Sequence, residues 1–84
     1  MKFIENMINM KLNTITGNDL LKYAEKANIS VTKSQAEQVA AFIRGKNFNL
    51  FDDRDRTKII KEIARIAGPK TAKQVNDIFK MFLS

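Results

Sequence analysis

The sequence predicts an all-α domain: a small bundle of about five short helices, arranged as two helical hairpins plus an N-terminal helical arm. Three observations carry this. Apolar residues recur at spacings of three and four, and strict alternation is rare. The gaps between periodic segments hold helix start and stop signals. The 84 residues are 44% apolar and 29% charged, with only three Gly and one Pro, so helix breakers are few and stand at the gaps.

Each helix has its own justification. The first runs from Lys2 to Asn13, with Phe3, Ile4, Met7, Ile8 and Leu12 recurring along one side. Thr16 followed by Asp19 is a capping box with Asp in place of Glu, and it opens a second helix over 17–28 that presents Leu20, Leu21, Ala24 and Ala27. Thr32 followed by Gln35 is another such box; it opens a third helix showing Ala36, Val39, Ala40 and Ile43. Gly45 stands where a left-handed residue ends a helix. In the connection that follows, Phe48, Leu50 and Phe51 are expected to plug the core. Asp52 is the N-cap of helix four, and Asp53 and Asp55 occupy its first turn, where unpaired amides and the positive end of the dipole favour carboxylates. Gly68 ends that helix. Pro69 begins the fifth, at a position where its missing N–H costs nothing. Helix five carries Ala72, Val75, Ile78, Phe79 and Phe82.

An internal echo supports the hairpin pairing. Residues 20–39 and 59–75 share a branched apolar pair followed by Lys, then a connection, then Ala-x-Gln-Val. Duplication and the common demands of helix packing both account for it.

Composition removes several function classes. With no Cys and no His, the chain has neither thiolate chemistry nor the common zinc ligands, nor the usual general base near neutral pH. The Glu residues are scattered over different helices, no Gly-rich phosphate loop is present, and the Asp52–Asp55 run already has a capping role. No enzyme, cofactor, metal or small-molecule substrate is expected. The longest apolar stretch, "VAAFI", falls far short of the roughly 20 residues of a membrane span. The opening "MKFIENMINM" is broken by Glu5, Asn6 and Asn9, unlike a secretion signal, so a cytoplasmic location without membrane contact is the expectation.

Charge supplies the first functional lead. The net charge is +6, and residues 44–84 contribute ten bases against five acids, a balance of +5. On helix four, Arg54, Lys58, Lys61 and Arg65 fall within about 40° either side of one line, opposite Ile59, Ile60, Ile63 and Ile66. One reading makes this stripe a nucleic-acid contact, joined by Arg44, Lys46, Lys70 and Lys73, acting through counterion release from phosphates. The other makes it the solvated face of an amphipathic helix. With one Tyr and no Trp, no aromatic stacking platform accompanies it.

Helix one supplies the second lead. Its apolar arc is broad for a helix covering one edge of a small core, and Met7 and Met10 add adaptable side chains. Either these residues fill the core, or Phe3, Ile4, Met7 and Ile8 dock on a second copy of the chain or on another protein. A homodimer would add burial that so small a domain lacks.

Two resemblances complete the reading. "DLLKYAEKANISVTKSQAEQVAAFI" is similar in rhythm to helix–extended loop–helix nucleic-acid-binding modules of the SAP type. Leu20 and Leu21, then Ile29 and Val31, then Lys33 match that module's apolar pair, loop plugs and phosphate-contacting base, but the loop has no glycine. Over nearly the whole chain, most of all "MINMKL", "QAEQVAAFIRGKNFNLFD" and "AKQVNDIFKMF", the sequence resembles a short YqfT-like family of Bacillus-type bacteria. That resemblance implies a cytosolic, cofactor-free helical protein and carries over no functional residues.

Overall fold

Side chains close the helix starts as their spacing requires. In a computed structural model describing residues 2–83, five helices follow in order: α1 (Lys2–Asn13), α2 (Gly17–Lys26), α3 (Lys33–Ile43), α4 (Asp53–Ala67) and α5 (Pro69–Leu83). At α2 the Asp19 amide donates to the Thr16 hydroxyl (3.1 Å) and the Thr16 amide donates to the Asp19 carboxylate (3.1 Å). Thr32 and Gln35 make the same reciprocal pair at α3. The Asp52 carboxylate accepts from the Arg54 amide at 2.8 Å to cap α4. Ile15 and Leu20 stand just before the α2 cap and four residues after it, the positions of a hydrophobic staple; Ile15 is buried in the core and Leu20 packs against it.

The helix ends are equally local in origin. Helix α2 stops at Lys26, two residues before the sequence expectation, because Asn28 adopts a left-handed conformation (φ 56°). The Ile29 amide then bonds the Ala24 carbonyl at 2.8 Å, and the Asn28 amide bonds that of Glu25 at 3.2 Å. This is a Schellman ending with Asn in place of the usual Gly. Gly68 (φ 97°, ψ 161°) turns the chain between α4 and α5, a backbone region that essentially only glycine occupies. Pro69 begins α5 at once.

Packing follows chain order. Helix α2 lies on α3, α3 on α4 and α4 on α5, giving two hairpins joined through their inner helices. The core lies between α3 and α4, where Val39, Ala40 and Ile43 meet Ile59 and Ile63, with Ile15 and Ala72 at its borders. Ala40 is 0% and Ile59 2% exposed. Phe48 and Leu50 pack against this cluster as expected of plugs, while Phe51, expected there too, is half-buried and outside it; Phe48 stacks on Phe42 with ring centroids 5.6 Å apart. The two Ala-x-Gln-Val segments occupy matching places on α3 and α5, with Ala36 and Ala72 both buried. No described helix is long and apolar enough to cross a membrane.

Candidate functional site

Helix α1 is mounted on the bundle by its polar residues. The Asn9 side-chain oxygen accepts from the Leu50 amide at 2.9 Å, while its amide nitrogen donates to the Asn49 side-chain oxygen at 2.9 Å. One turn on, the Asn13 carbonyl accepts from the Gly45 amide (3.0 Å) and its side-chain oxygen from the Asn47 amide (2.9 Å). These bonds tie α1 to the loop before α4 rather than to another helix. The loop is held in turn from α4: the Asn49 amide donates to Asp55 at 2.8 Å, and Arg56 donates to the Leu50 carbonyl at 2.9 Å. Asp55 therefore does more than complement a dipole, since it accepts a specific loop amide.

The consequence is an inverted amphipathic helix. Advancing 100° per residue, Phe3, Met7 and Met10 lie within about 30° of one line, whereas Leu12, grouped with them by the sequence pattern, falls with Glu5 and Asn9 on the other side. The apolar line faces outward: Phe3 is 75% exposed and Met10 70%, and Ile4, Met7 and Ile8 are exposed as well. No residue of α1 is buried. Leu12 alone of this helix packs against the core cluster, so the alternative that Met7 and Met10 fill the core is overturned.

Beside this face lies an apolar groove of about 440 Å³ to which all five helices contribute. Ile8 and Leu12 of α1, Leu20 and Tyr23 of α2, and Val75 and Ile78 of α5 form its walls; Val39 and Ile63 lie deeper. It exists because α2 and α5, at the two ends of the packing order, do not close on one another. Phe82, 76% exposed, stands four residues beyond Ile78, about one turn further along α5. None of the sequence signals located this groove, because it is a gap between non-adjacent helices.

The basic residues divide into distinct groups. Arg54, Lys58, Lys61 and Arg65 are all exposed, while Ile59 and Ile63 are buried and Ile60 and Ile66 half-buried, so the stripe and the apolar face separate as the helical spacing requires. Arg54 lies 3.7 Å from Asp52, and Arg65 forms a two-pronged pair with Glu62 at 2.7 and 2.9 Å. Glu62 thus engages one end of the stripe directly. Arg65 holds the Glu62 carboxyl below the usual range. Arg44 donates to the Ile15 carbonyl at 3.1 Å, and Lys46 donates to the Phe42 carbonyl with its ammonium 3.9 Å from the Phe42 ring centre. Lys73 pairs with Asp77 at 3.1 Å. Lys58, Lys61 and Lys70 are exposed, and among the described residues none has an ion-pair partner. In the α2–α3 connection Ile29 is buried and Val31 half-buried, and Lys33, the first residue of α3, is exposed.

Two other carboxyls are shifted by their caps. Asp19 is held below the ordinary aspartate range, first by the Thr16 amide and then by Lys11, whose ammonium lies 3.1 Å away. The Arg54 amide does the same for Asp52. Among the described residues no group of three or more metal-ligating side chains comes together.

Fold and surface together define a class: a small, basic, all-helical protein that turns the apolar side of its first helix to solvent. A family described as protein of unknown function (DUF2624) matches residues 1–83, and the chain belongs to that family. It is 40% identical to an uncharacterised Bacillus subtilis (strain 168) protein, YqfT, over 84 residues that cover the whole of both chains. No solved structure matches it significantly.

Proposed function

We propose that this chain is a non-enzymatic protein-interaction module whose working surface is the outward apolar face of α1. One observation carries the proposal: Asn9 and Asn13 spend the polar side of α1 on the bundle, leaving Phe3, Ile4, Met7 and Met10 exposed. Burying such side chains in water-free contact is favourable by roughly 25 cal/mol per Å², and contiguous apolar patches of this kind on soluble proteins commonly mark interaction sites. A Met-bearing helix face adapts to its partner's shape. The test is capture of bound protein from a native lysate by the wild-type chain and by Met7→Asp. Loss of the captured protein in the variant is expected; identical capture by both chains would refute the assignment of this face.

A second reading has its own support, the exposed and unpaired Lys58, Lys61 and Lys70. In it, this basic surface contacts nucleic-acid phosphates without reading sequence. Three such contacts give a plot of log affinity against log salt a slope of about −3. Titration with mixed-sequence DNA and RNA at two salt concentrations tests it. The double substitution Lys58→Glu and Lys61→Glu should abolish binding, and no binding at low salt would end this reading.

A further inference from the structure

Resting on the interaction-module reading, we infer that the partner of α1 is a second copy of this chain: in an isologous homodimer, the apolar face of each α1 closes the partner's groove between α2 and α5. The molecule carries both halves of such a contact. It has a helix whose apolar side lacks a groove, and a groove of about 440 Å³ whose flanking helices α2 and α5 do not pack on one another. The two adjoin, since Ile8 belongs to the α1 face and also lines the groove. A two-fold axis placed there lets each copy give and receive the same contact.

Area supports the pairing. The five α1 side chains, with Tyr23 of the groove wall and Phe82 four residues beyond Ile78 on α5, range from 38 to 76% exposed. Side chains of this size leave about 900 Å² on one copy and about 1,800 Å² on two, within the range of specific, stable interfaces. A typical monomer's largest apolar patch is only about 300–600 Å². The domain also has reason to use it: nine hydrophobic residues are buried among the described residues, and small domains commonly gain missing burial by association.

Charge permits like to meet like at this place. Two chains of net charge +6 repel, yet the ionisable side chains of α1 and its α2 neighbour Asp19 balance, Lys2 and Lys11 against Glu5 and Asp19. Lys58 and Lys61 project from α4 on the side opposite Ile59 and Ile63, both of which line the groove. The dimer therefore keeps the cationic surfaces apart. A foreign acidic partner would be drawn to that stripe instead.

The test is sedimentation of the full chain from micromolar to millimolar concentration. A species of twice the 9.6 kDa chain mass is expected. Met7→Asp and, independently, Phe82→Asp should each weaken association about thirtyfold or more while leaving helical circular dichroism unchanged; Lys58→Glu should leave it intact. Because the chain has no cysteine, differently tagged Met7→Cys and Tyr23→Cys chains can be mixed under oxidising conditions. A disulfide between the two supports the groove as receiver. A dimer that survives both Asp substitutions, or one that links Met7→Cys only to itself, overturns the inference. So does a monomer at every concentration. In that event, a foreign protein captured through Met7 preserves the interaction-module reading, and its absence removes both.

Discussion

Replacing Asn9 by Ala is the most direct challenge to the inverted mounting of α1. The substitution removes the bond from the Leu50 amide and the bond to the Asn49 side chain, both 2.9 Å. Each is worth about 0.5–1.5 kcal/mol net, so about 1–3 kcal/mol is lost, towards the upper end because the half-buried Leu50 amide is left without its acceptor. A domain of this length has roughly 4–13 kcal/mol of total stability, which makes the loss easy to measure. The assay is urea denaturation at a dilution where the chain is monomeric, with amide hydrogen exchange to localise the effect. Exchange should accelerate first in α1 and in the loop over 45–51, which the same bonds hold. Met7→Ala, in the same assay, removes an exposed side chain and should change stability by no more than about 0.5 kcal/mol. If Met7→Ala costs more than Asn9→Ala in the monomer, α1 packs by its apolar side and the argument for an exposed docking face fails.

Three further perturbations probe the scaffold and its electrostatics. Ile59→Ala opens a cavity at a side chain 2% exposed and should cost about 2–5 kcal/mol by chemical denaturation, approaching unfolding of the monomer. Gly68→Ala forces a Cβ into φ 97°, ψ 161° and should cost about 1–3 kcal/mol, lowering the melting temperature by several degrees per kcal/mol. Asp19, Asp52 and Glu62 all have carboxyls held below their ordinary ranges. Their native state binds protons less readily than the unfolded chain, so their contribution is complete above the unfolded pKa values of about 4 and is lost as pH falls through the lower folded values. Melting temperature should therefore drop on acidification below about pH 4, and less steeply in Asp19→Asn.

Much of the architecture was legible because it is decided over three or four residues. Thr16 with Asp19, Thr32 with Gln35, Asp52 before α4, and the Gly68–Pro69 break are each local bargains between a side chain and nearby backbone groups, and each stands where its spacing predicts. The separation of isoleucines from cations on α4 is likewise set by helical period alone. The two-residue error at the end of α2 arose because Asn28, which helices tolerate, instead took the left-handed ending that Asn also allows.

Sequence by itself determined that the chain forms these helices and which side of each is apolar. Only the tertiary structure decided which side of α1 meets the bundle, because that choice depends on partners 32 to 41 residues away. Asn9 reaches Asn49 and Leu50, and Asn13 reaches Gly45 and Asn47, through hydrogen bonds that no periodicity encodes. The groove, and the commitment of Arg44 and Lys46 to backbone carbonyls, have the same origin. Hydrophobic pattern states which faces need cover, and long-range geometry selects the faces that receive it.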